Sequence, residues 1–209
     1  MRFPVLSFLV LFGTACVLQA QSIAVTHTSP ELGFSFTVPA DWQVMDTSAV
    51  AKEQARQSAQ TDDDKKGLAC VQVGLTARHG TPPSVMTEAA LPFDCYGQKM
   101  SQADLPGFAN SASAGLEQNF DLGDPVYGSY SLGSHPFWIE RVRGSVKGEP
   151  GMPYTIEIAC SMTKKAAVCW MTMAADEASL KTFEQAPVSL DGEDPTPLVP
   201  TKAFDKKPS

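Results

Sequence analysis

Apolar and polar residues alternate with a period of two in several stretches of this chain, and that period predicts strands. In Gly33-Phe34-Ser35-Phe36-Thr37-Val38, the side chains of Phe34, Phe36 and Val38 point one way and those of Ser35 and Thr37 the other. Residues 23–28 alternate weakly and predict an edge strand. Pro39-Ala40-Asp41 is turn chemistry, and 42–45 is expected as a strand pairing back on 33–38 as a hairpin. Residues 47–60 are rich in Ala, Gln, Lys and Glu. These are helix formers, and Asp46 or Thr47 can cap the start. Residues 62–67 form a charged turn. Strand character returns at 68–78, where Val71, Val73 and Leu75 alternate with Gln72, Gly74 and Thr76.

Residues 79–100 read as irregular, with Pro82, Pro83 and Pro92 and a short helix at 84–90. Leu105, Phe108, Ala109, Ala112 and Leu116 then recur at helical spacing. They predict a helix over 105–118, with Asp104 as its cap. The C-terminal half reads as a meander of strands at 125–132, 136–146, 154–162 and 166–173. A helix at 176–185 follows, with Leu180 and Phe183 facing in, and a short strand at 188–190. From Asp191 onward the chain is mostly Asp, Pro, Thr and Lys, and 191–209 is expected as a disordered tail. The pattern as a whole predicts one α+β domain over 21–190, built on a mainly antiparallel sheet flanked by helices.

Composition adds an address. Arg2, the apolar run at 5–12 and the small residue Ala20 read as a secretory signal over 1–20, too short to span a membrane. The whole chain of 209 residues carries a net charge of −7, and losing the leader removes Arg2 and no acid. Such a chain is repelled by nucleic acid and anionic lipid. No second long apolar run follows, so no transmembrane span is expected. The alternative is a lipid anchor on Cys16, since Gly13-Thr14-Ala15-Cys16 loosely resembles a lipobox.

Beyond Cys16 the cysteines are Cys70, Cys95, Cys160 and Cys169, an even set in a chain addressed to an oxidising compartment. Three pairings are possible; sequence separation favours Cys70–Cys95 and Cys160–Cys169. A loop centred between Lys164 and Lys165 would set Cys160 opposite Cys169, Ile158 opposite Met171 and Ile156 opposite Met173, an apolar face throughout. The other face pairs Ser161 with Val168, Ala159 with Trp170 and Glu157 with Thr172, and is more mixed. A two-residue loop would make Cys160–Cys169 a non-hydrogen-bonded pair with Cα atoms about 4.5 Å apart, within disulfide range. Two lysines suit primed turns poorly, so a four-residue loop is the other option. Eight intervening residues inside a hairpin favour a staple over a reactive dithiol.

Catalytic and metal motifs fail. The run starting at Asp62 has Lys66 and Val73 where a calcium loop needs an oxygen ligand and Glu. Ser129-Tyr130-Ser131-Leu132-Gly133 lacks the first glycine of a nucleophile elbow and the helix after it. His27, His79 and His135 show no metal-ligand spacing. No catalytic residue, metal or cofactor is therefore assigned. Glu140, Arg141 and Arg143 beside Trp138 are the candidate polar binding patch.

The segment from Gly33 to Trp42, an aromatic-alternating strand followed by a proline and a tryptophan, resembles the opening hairpin of the PsbP-like superfamily. The later meander and the closing helix and strand fit the same plan, over about 30–190. The resemblance implies an antiparallel sheet sandwiched by helices. It also implies a non-enzymatic accessory or binding protein of an envelope or thylakoid lumen, and it carries over no functional residue. The expectation is thus an exported accessory or binding module, secreted or periplasmic, whose partner is another envelope or secreted protein. The alternative is a secreted enzyme: a thiol oxidoreductase using Cys160 and Cys169, or a hydrolase with a spatially assembled site.

Overall fold

The computed structural model describes residues 24–45, 69–113, 116–148 and 151–204. The leader, Cys16, the expected helix at 47–60 and the charged turn at 62–67 lie outside them. The described strands are Val25–Ser29 (β1), Phe34–Val38 (β2), Gln43–Met45 (β3), Gln72–His79 (β4), Ser84–Pro92 (β5), Phe120–Leu122 (β6), Val126–Leu132 (β7), His135–Val146 (β8), Pro153–Met162 (β9), Ala166–Ala174 (β10), Pro187–Leu190 (β11) and Thr196–Pro197 (β12). Among the described residues, α-helices run over Phe93–Tyr96 (α1), Leu105–Ser113 (α2) and Glu177–Glu184 (α3), with 3-10 turns at Gln102–Asp104 and Leu116–Gln118. A small sheet has the order β1-β2-β11-β12. A large one runs β3-β4-β5-β10-β9-β8-β6, with β7 also paired to β8. Every pairing among the described strands is antiparallel, as the sequence pattern predicts.

The main core lies between the two sheets. Phe34, Phe36 and Val38 of β2 meet Phe137, Ile139, Ala159, Val168 and Trp170 of the large sheet, and Phe183 of α3 closes the end. Trp170 is the centrepiece, with ring centroids 5.9 Å from Phe34, 6.2 Å from Phe36 and 6.2 Å from Phe137. The opposite face of the large sheet packs under α2: Leu105 and Ala109 seal Ile158, Cys160 and Cys169. Helices therefore flank the large sheet on both sides.

The hairpin register is the expected one, with Cys160 opposite Cys169, Ile158 opposite Met171 and Ile156 opposite Met173. The turn is tight: Thr163 N–H donates to Ala166 O, leaving Lys164 and Lys165 at its tip. Side chains stabilise it in place of a primed conformation. The Thr163 hydroxyl accepts from the N–H groups of Lys165 and Ala166 and donates to Leu32 O, while the Asp191 carboxylate accepts from Lys164 N–H. The mixed face proves to be the main-core face, and Ser161, Glu157 and Thr172 are fully buried on it.

Four expectations need correction. Strand β3 pairs with β4, not with β2, because β1 and β11 already occupy both edges of β2. Residues 84–90 are no helix: they belong to β5, a central strand between β4 and β10. Helix α2 is described over Leu105–Ser113, and Leu116–Gln118, expected to continue it, form a 3-10 turn instead; the Ser111 and Ser113 hydroxyls donate back to Gly107 O and Asn110 O and compete with the helical ladder. Its N-terminal side is opened by Ser101, whose N–H and hydroxyl both donate to Asp104. The fourth correction concerns the segment after Asp191, which is packed as far as residue 204. Leu198 N–H donates to Ala186 O and Val199 N–H to Glu184 O, and Leu198 is fully buried.

Candidate functional site

The cysteines pair as their separations favour. Cys70 bonds Cys95, with Cα atoms 5.7 Å apart, and ties the start of β4 to α1. Cys160 bonds Cys169, with Cα atoms 4.1 Å apart. The second pair is 0% and 3% exposed beneath α2, where no external thiolate can reach the sulfurs. That burial opposes exchange chemistry.

The candidate patch at 138–143 does not hold together, because strand alternation splits it. Trp138 and Glu140 face α2. The Trp138 ring lies against Tyr127 at 5.7 Å, and Glu140 is buried with Oε2 lacking a partner. Burial pushes the Glu140 carboxyl up. Arg141 and Arg143 face the other way. Arg143 is exposed. Arg141 is committed internally: its Nε donates to Glu157 Oε2 at 2.7 Å, its Nη2 bonds Glu184, and Phe204 stacks over the guanidinium at 4.2 Å. Burial pushes the Glu157 carboxyl up to about 7, against the pull of Arg141.

Each histidine meets a carboxylate distant in sequence. His27 Nδ1 lies 3.0 Å from Oε1 of buried Glu88, bridging β1 to β5. Burial raises the Glu88 carboxyl, and the bond to Glu88 raises the His27 imidazole. Gly74, where the β4–β5 register shifts, is what admits this pair: a Cβ there would run into the Glu88 carboxylate. His79 Nδ1 lies 3.0 Å from the backbone carbonyl of Asp41 and 3.7 Å from its carboxylate Oδ2, and its ring stacks on Trp42.

His135 is different, because it lines a cleft. The cleft, of about 500 Å³, is bounded by Leu132, Gly133, His135, Val188 and Leu190 and by Gly192, Glu193, Asp194 and Thr196. It lies between the β7–β8 turn and the strap that follows β11. His135 Nδ1 sits 2.8 Å from Met162 O. Its Nε2 has no hydrogen-bond partner, although the side chain is only 9% exposed. Glu193 Oε1 is 3.6 Å away and Asp191 Oδ2 is 3.9 Å away.

Both carboxylates are held by turns. Asp191, at φ 49, accepts from Lys164 N–H. Glu193 accepts from the N–H and hydroxyl of Ser134, and the hydroxyl holds its carboxyl below the usual range. Gly133 is required beside it, with φ 55 and no room for a Cβ against Glu193. Among the described residues, no group of three or more His, Cys, Asp or Glu could hold a metal ion, and no helix is long and apolar enough to cross a membrane.

The pattern along the chain hides this cleft, because Asp191-Gly192-Glu193-Asp194 reads as the start of a tail. The available signal is that run of acids directly after a strand, in a chain where His135 closes a Gly-Ser turn.

No family model matches the chain, and no curated protein sequence matches it. The overall fold is similar to the solution structure of cyanobacterial PsbP (CyanoP) from Synechocystis sp. PCC 6803. The similarity has 12% identity and a TM-score of 0.45, and covers 82% of this chain and 90% of that one. This is a likeness of overall form, and nothing about the cleft follows from it.

Proposed function

We propose that this chain is an exported, non-enzymatic accessory or binding module of the cell envelope, and that it recognises another envelope or secreted component through the cleft beside His135. The observation that carries the reading is the His135 side chain, which lines the cleft and whose buried Nε2 has no hydrogen-bond partner. Buried polar atoms are nearly always satisfied, and an exception in a cleft marks a place where a ligand supplies the partner. Export is supported by the leader at 1–20 and by two disulfides, which persist in oxidising compartments.

The test is crosslinking in living cells. A photoreactive side chain at Asp194, exposed on the cleft rim, is compared with one at Met152, exposed elsewhere. A discrete adduct from position 194 alone, on a chain exported and trimmed at residue 20, is expected. Equal yields from the two positions, or none from 194, would overturn the reading.

A further inference from the structure

We infer that the cleft is a receptor for an aliphatic primary ammonium group, an inference that rests on the binding reading above. The argument begins with the His135 tautomer. A carbonyl oxygen can only accept, so the bond to Met162 O requires the proton on Nδ1. In the neutral ring Nε2 is then a bare lone pair, buried and without a donor. The groups facing it are Glu193 Oε1 at 3.6 Å, which accepts from Ser134, and Asp191 Oδ2 at 3.9 Å, which accepts from Lys164 N–H; both carry negative charge and lie beyond hydrogen-bond length of Nε2. Asp194 lines the same cleft. The site thus offers acceptors and negative charge. An anion is repelled, and a neutral acceptor leaves Nε2 unsatisfied. The complement is a cation that carries N–H donors.

The geometry selects among such cations. An ammonium has three donors diverging from one small nitrogen, which suits three separate acceptors. A guanidinium prefers a free bidentate carboxylate face, and both Asp191 oxygens already face Lys164 N–H. Leu132, Val188 and Leu190 line the same cleft and give the methylenes of an alkyl chain an apolar wall. Of the two lysines at the β9–β10 turn, Lys165 spends its ammonium on Pro30 O, and Lys164 reaches Glu193 through its charge, without a hydrogen bond from its ammonium to that carboxylate. The group can arrive on a free alkylamine or on a lysine side chain of a partner. The chemistry is shared, and the probes below separate the two.

The test uses the full-length oxidised protein, labelled with ¹⁵N. The imidazole resonances of His135 are followed while n-butylammonium, 1,4-diaminobutane, Nα-acetyl-lysine methylamide or tetramethylammonium is added. The first three are expected to move the Nε2 resonance saturably. Tetramethylammonium, which has charge but no N–H, should not. Tighter binding of the diamine would assign a free amine, and tighter binding of the lysine derivative a protein partner. Glu193→Gln keeps an oxygen for Ser134 but removes its charge, and is expected to weaken butylammonium about tenfold, a charge-assisted bond becoming a neutral one. Asp194→Asn, further out, tests the same charge without touching the turn. Equal binding of tetramethylammonium, no binding of any amine, or no effect of Glu193→Gln would overturn the inference. If adducts still form from position 194 in cells, the binding reading survives that loss. If they do not, both fall.

Discussion

Replacing Glu157 with Gln should flatten the dependence of stability on pH. Glu157 is fully buried on β9, and its carboxylate shares Arg141 with Glu184. The groups facing it are Arg141 of β8, Glu184 of α3 and the buried phenol Tyr130 of β7, which donates to Leu198 O. Burial dominates, so the folded carboxyl titrates at about 7 and the unfolded one at 4.5. A folded pKa above the unfolded one means that folding takes up a proton. The stabilisation is complete below 4.5 and is lost as pH rises through 7. Between pH 5 and pH 8 this one group removes roughly 2–3 kcal/mol of stability, or about 5–10 °C in Tm for a domain of this size.

In the Glu157→Gln variant the new amide cannot ionise and still offers Arg141 an oxygen. Urea denaturation at pH 5, 6.5 and 8, followed by tryptophan fluorescence, reads the difference. The wild type should lose that stability across the series. The variant should lose less than the wild type, the remainder coming from Glu88, Glu184 and His27, all shifted in the same direction. Parallel pH profiles for the two proteins would refute the reasoning, because they would show that Glu157 binds no proton on folding.

Two other outcomes follow from the same geometry. Removing the Cys160–Cys169 bond by a double change to Ala opens a loop of sequence separation 9 and should cost about 2–3 kcal/mol; opening Cys70–Cys95, with separation 25, should cost about 3–4 kcal/mol. In native protein, thiol counting in excess glutathione should find the buried pair intact for as long as α2 stays docked; rapid reduction without unfolding would restore the oxidoreductase alternative. Gly133→Ala should cost about 1–3 kcal/mol, since alanine at φ 55 is strained and its Cβ collides with the Glu193 carboxylate. Denaturant midpoints check the stability, and butylammonium titration of the same variant should show weakened binding once Glu193 is displaced.

The β9–β10 hairpin was legible because its information is local. Alternation on both strands and one turn fix the register, and a slip by one residue would have sent Ile156, Ile158 and Cys160 to the wrong face. What misled was the weight given to polar atoms. Ser161, Glu157 and Thr172 made their face read as the more mixed of the two, yet each finds a partner: the Ser161 hydroxyl donates to Pro136 O, Thr172 to Val85 O, and Glu157 accepts from Arg141. A buried polar residue reads as a surface residue until its partner is known.

The same physics explains the larger misses. Strand β5 carries Glu88 at its centre, which reads as helix or loop until His27, 61 residues earlier, is placed against it through the gap left by Gly74. The strap after Asp191 is polar and proline-rich, which reads as a tail. Its order comes from Leu198 and Val199, which sit in the main core and bond backbone groups of Ala186 and Glu184. The cleft inherits both problems. Its histidine follows one hairpin turn, its acids follow β11, and the backbone oxygen that sets the His135 tautomer belongs to Met162. Three separate segments meet there, and no window along the chain contains them together. Local periodicity could therefore predict the sheet that holds the site, while the site itself exists only through closure of the strap over that sheet.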